Sequence, residues 1–323
     1  MLTYVSKRLL AAIPILLGIS FLTYMVMALA PGGPTAFMSD LNPKVSPEVR
    51  EKMVKLYNLD KPIHVQYVKW VGRLVRFDFG NSFKDNQPVI KKIRERLPKT
   101  VLLSGLSLLL VFFLAIPIGV LSAVKHNSWV DRILTVFVFV GFSIPTYWVA
   151  LLFMIVFGIY LGWLPMTGFR SILADEMTWG GQLMDVAKHL ALPLLVTALT
   201  GLAGLSRYMR NGMLDVIRQD YIRTARAKGL PEHRVILIHA LKNSLIPLVT
   251  ILGLSLPDLI SAGVIFETVF SYPGLGRLAY EAVMARDFPV IMATVTIGAF
   301  LTLAGNLIAD ISYAYADPRI RHR

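Results

Sequence analysis

The chain has 323 residues, 55% of them hydrophobic, and a mean hydropathy of +0.60. Charged residues make up 16%, against about 25% in a soluble domain. Several windows of about 20 residues, enough to cross a bilayer as a helix, carry no charge. The composition therefore argues against a soluble protein. The absence of cysteine excludes disulfides, iron–sulfur clusters and cysteine-ligated zinc. Basic residues flanking membrane spans explain the net charge of +13 better than a nucleic-acid partner does.

The first predicted span runs from Leu9 to Ala30, which makes residues 1–30 an N-terminal transmembrane helix. Its last residues, Ala28-Leu29-Ala30, have the small-x-small pattern of a signal-peptide cleavage site. The apolar run is longer than the roughly 7–15 residues of a signal peptide, and Pro31 should resist the peptidase. We therefore expect this span to be retained.

Residues 31–99 form a predicted external segment with two short helices. One covers 46–57, where Ser46 is a suitable N-cap, and the other covers 63–76. The segment has enough apolar residues to fold against a membrane bundle and too few for a domain of its own. It is expected to act as a lid or a docking surface, and a solvated loop without a specific partner is the alternative.

Residues 100–316 contain the remaining predicted spans, which gives an all-α membrane protein with six transmembrane helices. Several of these spans contain proline, which packed membrane bundles tolerate because neighbouring groups satisfy the freed carbonyls. Six kinked spans suit a transporter better than a simple anchor. The expected spans are 100–124, 133–161 with interruptions at Gly141 and Pro145, 190–205, 244–265, and 290–309 with a weak continuation to 316.

The distribution of basic residues sets the expected orientation, because cytoplasmic loops are enriched in lysine and arginine. The 207–242 loop has eight basic and three acidic residues, and the tail 317–323 adds three arginines. Both termini and this loop are therefore expected to be cytoplasmic. The basic residues that precede the second span, from Lys91 to Lys99, contradict the rule, but long translocated segments are known to escape it.

The cytoplasmic loop has unusual internal order. Leu214, Ile217, Tyr221 and Ala225 recur at three- and four-residue spacing, which predicts an apolar face on a helix over 213–228. Gly229 is suited to end that helix, and Pro231 prevents its continuation. A second short helix is expected to begin at Pro231-Glu232 and to lead into the fifth span. Such a sharp corner favours docking to a protein, and an amphipathic helix lying on the lipid surface is the alternative.

The run from Asp220 to Asn243 resembles the cytoplasmic coupling loop of ATP-binding-cassette importer permeases, and within them the dipeptide, oligopeptide and nickel branch. That branch reads D-Y-I-R-T-A-R-A-K-G and then H-A-L-[RK]-N, and both pieces are present. Arg223, Thr224 and Ala225 occupy the family's E-A-A positions and Gly229 its glycine, so the role of the family's glutamate cannot be transferred. Weaker matches follow in the same order as in the branch: Ala30 to Pro34, Leu59 to Pro62, Gly80 to Ser82, Ile116 to Leu121, Phe270 to Gly276 and Ala316 to Ile320.

The resemblance implies a B-type permease subunit with the MetI-like fold of type I importers, in the cytoplasmic membrane of a bacterium or archaeon. Its expected partners are a second, homologous permease subunit, two ATP-binding cytoplasmic subunits, an extracytoplasmic solute-binding protein, a peptide substrate and membrane lipid. ATP and magnesium would be bound by the ATPase partners. The residues expected to couple to the ATPases are Leu214, Ile217, Asp220, Tyr221, Arg223, Thr224, Ala225, Lys228 and Gly229.

Outside the loop, two further places have candidate roles. Residues 272–276, Tyr272-Pro273-Gly274-Leu275-Gly276, form a predicted external turn at the pore mouth or against the binding protein, with an inert turn as the alternative. Asp258 lies deep in the fifth span, where a charge is costly and often functional. It either lines the pathway or has a structural role. Asn306 and Asp310 lie in the sixth span, and Asp310 is expected to be structural.

The sequence gives no sign of catalysis or of a resident cofactor. It contains no P-loop and no histidine spacing typical of a metal site, so no cofactor bound by this chain is expected. A nickel or other small-solute permease of the same branch remains open. An intramembrane enzyme would need paired acids at one depth, and a secondary transporter would need repeat symmetry or ion-coupling acids. Neither pattern is evident.

Overall fold

The computed structural model describes residues 2–29, 51, 54–55, 60–255 and 263–316. The regular secondary structure of the described residues is helical, apart from one isolated bridge between Asn81 and Pro88, and turns and loops connect the helices. The helices are, in chain order, α1 (Leu2–Leu29), α2 (Ile63–Leu74), α3 (Val89–Val124), α4 (Trp129–Ser143), α5 (Thr146–Phe153), α6 (Trp179–Ile217), α7 (Asp220–Ala227), α8 (Glu232–Arg234), α9 (Leu241–Ser244), α10 (Ile246–Leu254), α11 (Val264–Val269), α12 (Leu275–Met284) and α13 (Phe288–Ala316).

Four of these helices, α1, α3, α6 and α13, are long and apolar enough to span a membrane. Two bent pairs raise the number to six if each pair is a single span. The first joins α4 to α5 and the following π-helical turn, with a bend of 99°, and the second joins residues 232–244 to α10, with a bend of 41°. This agrees with the six predicted spans. The break predicted at Pro145 is present, because the residue before a proline avoids helical backbone, and Ile144 is extended.

The chain divides into two compact units. In the first, made of residues 1–100, 260–264 and 273–323, α1 packs against α13 and α2 packs against α1. The predicted helix over 63–76 is observed as α2. Its Tyr67 hydroxyl lies 2.9 Å from Ser20 Oγ, and the Tyr24 hydroxyl donates to Gln66 Oε1 at 2.7 Å. The first predicted external helix, 46–57, lies almost wholly outside the described residues.

A short hairpin at residues 80–88 completes the first unit. The amide of Ser82 donates to Gln87 O at 2.9 Å, and the amide of Phe83 donates to the buried carboxylate of Asp287 at 3.0 Å. The hydroxyl of Ser82 donates to the same carboxylate. These bonds hold the hairpin to the residue that precedes α13. At least this part of the segment 31–99 is therefore packed rather than a solvated loop.

The second unit, residues 101–259 and 265–272, contains the candidate site. Here α4 and α5 both pack against α6. The helices α3 and α6 approach closely at Gly119, where a Cβ atom would lie 2.7 Å from the carbonyl oxygen of Ser206. The core below the loop is formed by buried apolar side chains of α3, α6, α7 and the π-helical turn Val235–Ala240. Movement of the loop therefore acts on a packed body rather than on a free peptide.

Candidate coupling site

The end of α6 differs from the sequence prediction. A continuous helix over 213–228 was expected, but α6 ends at Ile217 and α7 begins at Asp220. Between them Gln219 has extended backbone angles, φ −72° and ψ 150°. The break reorients α7 so that Ile222 is completely buried in the core. Tertiary packing has therefore overridden a local periodicity that favoured one helix.

The buried face of α7 is also different from the predicted one. Ile222 and Ala225 are buried, whereas Tyr221 is 44% exposed. Leu214 and Ile217 are half-buried at the end of α6 and pack against the same core. Ala225, one of the residues expected to couple to the ATPases, is buried, so its side chain faces the core and not the outer surface of the loop. Ile222 was not singled out from the sequence, and its place in the apolar i, i+3 pair with Ala225 is the signal that identifies it.

The corner after α7 is a Schellman motif. Gly229 has φ +77°, its amide donates to Arg226 O at 2.9 Å, and the amide of Leu230 donates to Ala225 O at 3.4 Å. Leu230 packs onto the core that contains Ala225, which adds the hydrophobic contact that usually accompanies this motif. The prediction that Gly229 ends the helix is thus confirmed, and α8 begins at Glu232 as expected.

An ion pair crosses the same corner. Arg226 Nε donates to Glu232 Oε2 at 3.1 Å and its Nη2 donates to Oε1 at 2.7 Å. The hydrogen bonds that Arg226 donates to Glu232 raise the pKa of the guanidinium and lower the pKa of the carboxyl group, so both groups are charged at physiological pH. An exposed pair contributes about 0–1 kcal/mol, and two-point geometry favours the upper part of that range. Together with the glycine cap, it fixes the angle between α7 and α8.

The remaining predicted residues form the outer surface of the loop. Asp220, Tyr221, Arg223, Thr224, Lys228 and Gly229 are exposed. The distance between Arg223 Nη1 and Asp220 Oδ1 is 3.4 Å, and both side chains are largely exposed, so this pair is weak. The structure therefore separates the predicted set into an outer group available to a partner and an inner group that anchors the loop.

Sequence reasoning missed a buried ion pair that holds the loop's supporting helix. Arg210 on α6 donates to both oxygens of Asp131 on α4, at 2.9 and 2.8 Å, and Asp131 is only 4% exposed. The Ser122 hydroxyl and the amide of Asn127 also donate to this carboxylate. The position of Asp131 among the basic residues of the α3–α4 turn is the signal that identifies it. The pair locks that turn to α6.

The predicted external turn 272–276 is largely buried. Tyr272, in the second unit, packs against Phe169 with ring centroids 5.8 Å apart, and burial raises the pKa of its hydroxyl. In the first unit, the amide of Leu275 donates to Thr100 Oγ1 at 2.7 Å, and Gly274 and Gly276 are buried. Apart from the half-buried Pro273, these residues are packed within the chain, and their place at the pore mouth or against the binding protein stays a prediction.

The structure gives little information on the three polar residues that were singled out inside the predicted spans. Asp258 lies outside the described residues, so its place in the pathway stays a prediction. Asn306 is exposed on α13, and the side chain of Asp310 is not described. Within the described ranges, no group of histidine and acidic side chains is arranged to hold a metal ion. The absence of a bound cofactor stays a prediction as well.

Comparison with known proteins places this architecture in a family. Residues 115–322 match the family described as binding-protein-dependent transport system inner membrane component, and residues 1–104 match its N-terminal region. The chain belongs to this family of membrane-spanning transport components.

The curated relatives match from end to end. The chain is 45% identical, over 323 residues and the full length of both proteins, to the oligopeptide transport system permease protein AppB of Bacillus subtilis. It is 35% identical to the di/tripeptide transport system permease protein DppB of Pseudomonas aeruginosa and 34% identical to the dipeptide transport system permease protein DppB of Escherichia coli, again over the full length of both. An inward-facing structure of the MetNI methionine ABC transporter is similar in fold, with a TM-score of 0.50 and 18% identity over 69% of this chain and 97% of that one.

Proposed function

We propose that this chain is the pore-forming transmembrane subunit of an ATP-driven importer of dipeptides or oligopeptides. The observation that carries the proposal is the capped corner of the 207–242 loop, whose outer residues are exposed while its inner residues are anchored in the core. The names of the full-length relatives, which describe permeases of peptide transport systems, support the choice of peptides.

The proposal includes the partners expected from the resemblance. A second, homologous permease subunit would complete the pore, and an extracytoplasmic solute-binding protein would deliver the peptide. Two cytoplasmic subunits would bind ATP and magnesium, and one of them would contact the outer residues of α7. The chain itself would not be an enzyme. Both termini and the 207–242 loop would lie in the cytoplasm.

The contacts around α7 suit the transmission of a push. A force on α7 would pass to the π-helical turn Val235–Ala240, against which α7 packs, and from that turn to α6. It passes to α9 as well, because the Ser244 hydroxyl donates to the carbonyl of Gly212 on α6 at 3.3 Å. Arg210 carries it to α4 through Asp131. These helices would move as one rigid body when the ATPase subunits close, which is the type of movement that alternating access requires.

The test is reconstitution of the importer in proteoliposomes with its binding protein and ATPase subunits. We expect ATP-dependent uptake of a radiolabelled dipeptide or oligopeptide, and none when the ATPase subunits are omitted. Uptake of nickel or another small solute in place of peptides would contradict the substrate assignment but keep the transport function. Uptake that proceeds without ATPase subunits would contradict the proposal as a whole.

A further inference from the structure

A cavity of about 250 Å³ lies between α3, α4 and α6 in the second unit. Its apolar lining is formed by Ile118 of α3, by Leu134 and Val138 of α4, and by Ala203 of α6, and Thr135 of α4 adds one hydroxyl among them. At one end the lining changes to polar and basic side chains, Ser122, Ser206, Arg207 and Arg210. One end therefore suits an anion, and the rest suits a hydrocarbon chain.

The charge at the polar end is not balanced. Arg210 is paired with Asp131, whereas Arg207 forms no ion pair within the part of the chain that the structure describes. The positive charge of Arg207 is therefore not compensated by an acidic side chain among the described residues. The guanidinium of Arg207 lies 6.0 Å from the centre of the Phe139 ring. This contact holds the side chain beside the cavity and leaves its N–H groups available to an acceptor.

The position of the cavity along the helices is that of a lipid headgroup. Arg207 is the first charged residue of α6 after Lys188, and Lys125, directly after the end of α3, is the first charged residue after Lys99. The polar end therefore lies where two apolar spans meet water. From Arg210 to Ala203 the cavity follows α6 for seven residues, or about 10 Å, into the apolar part of the span.

The neighbouring surface also suits lipid. Ile133, Val136, Phe137 and Val140 of α4 are between 52% and 61% exposed, and all are apolar. A pocket that holds a whole small molecule has about 300–1,000 Å³, so this cavity suits part of a larger molecule whose remainder lies in the bilayer. Basic pockets between transmembrane helices at the membrane edge are known to bind anionic lipid headgroups.

We propose that this cavity binds an anionic phospholipid, with the phosphate at Arg207 and the beginning of one acyl chain between α3, α4 and α6. The lipid lies against the Arg210–Asp131 pair that locks the α3–α4 turn to the helix supporting the loop. Occupancy of the lipid site is therefore coupled to the rigidity of the α3–α4 turn. The lipid lies in the cytoplasmic leaflet. This is the one part of the proposal that rests on the orientation given in the proposed function.

The test titrates the full chain in detergent with dioleoylphosphatidylglycerol or dioleoylphosphatidylcholine and counts bound lipids by native mass spectrometry. We expect tighter binding of phosphatidylglycerol and a loss of about five-fold in its affinity for Arg207→Gln, which is the effect of one basic residue near a membrane surface. Arg218→Gln removes an exposed charge outside the cavity and should leave both lipids unaffected. Ala203→Phe keeps every charge and fills the apolar part, so it should lower the affinity for phosphatidylglycerol as well.

Three results would overturn the proposal. One is equal affinity of the wild-type chain for the two lipids. Another is an equal loss of affinity for phosphatidylglycerol in Arg207→Gln and Arg218→Gln, which would show nonspecific attraction of the lipid to basic surface residues. The third is displacement of phosphatidylglycerol by excess inorganic phosphate, which would make the site one for a free anion. None of these results depends on transport activity, so failure here is distinguishable from failure of the proposed function.

Discussion

Gly229 is the residue on which the geometry of the corner depends. Its positive φ of +77° is a conformation that costs other residues about 1–2 kcal/mol. A Cβ atom at this position would meet no other atom within 4 Å. Any effect of a larger side chain therefore comes from the backbone and not from a clash. This separates the conformational role of the glycine from a role in close packing.

We expect Gly229→Val to uncouple peptide uptake from ATP hydrolysis, because valine cannot hold the left-handed cap and the angle between α7 and α8 would relax. Gly229→Asn is the matched control, since asparagine tolerates this conformation better than other residues with a side chain. The measurement is the ratio of peptide transported to ATP hydrolysed in proteoliposomes, with assembly checked by co-purification. Equal ratios in wild type and Gly229→Val would show that the corner does not transmit movement.

At the scale of elements, the contact between α4 and α6 depends on a charge pair whose carboxylate, Asp131, is buried and whose guanidinium, Arg210, is half-buried. Breaking such a pair by removing one partner typically costs about 3–5 kcal/mol, because the other charge stays buried. Replacing both partners costs less, because no unpaired charge remains. Asp131 also accepts hydrogen bonds from the Ser122 hydroxyl and the Asn127 amide. Replacing this carboxylate therefore removes more hydrogen bonds than replacing an ordinary surface acid does.

We therefore expect Arg210→Gln to lower the thermal unfolding midpoint of the purified chain strongly, and the double variant Arg210→Gln/Asp131→Asn to recover part of the loss. Arg218→Gln, an exposed arginine of the same region, should have almost no effect. The free energies of unfolding of the wild type, Arg210→Gln, Asp131→Asn and the double variant form a thermodynamic cycle. Additive losses would show that the two side chains do not stabilise each other, in conflict with the geometry of the pair.

The sequence predicted elements well where the signal is local, and poorly where packing decides. Span positions follow from apolar runs, and the corner at Gly229 follows from the conformational freedom of glycine. The break between α6 and α7 was not predicted, because it depends on the burial of Ile222 in a core that other helices form. The burial of Leu275 was likewise hidden, since its amide pairs with Thr100, distant in sequence. Periodicity describes one helix at a time and contains no such information.

For the whole molecule, orientation in the membrane is the property that every functional assignment needs, and it rests on the distribution of basic residues. Lys91 to Lys99 disagree with the other loops. In the structure these residues lie on the first turns of α3, before its apolar part. They therefore belong to a segment that follows the packed hairpin 80–88. Because long translocated segments can escape the charge rule, these basic residues do not contradict the proposal of a cytoplasmic 207–242 loop, and that orientation needs a direct test.

The chain has no cysteine, so a single introduced thiol reports its side of the membrane without background. We expect Lys228→Cys to react with a membrane-impermeant maleimide only in inside-out vesicles. Ile172→Cys, at a position that is 98% exposed in the opposite loop, should react only in right-side-out vesicles. Both thiols react in detergent, which controls for accessibility. Labelling of Lys228→Cys from outside would place the loop beyond reach of any cytoplasmic ATPase, and the importer assignment would fail with it.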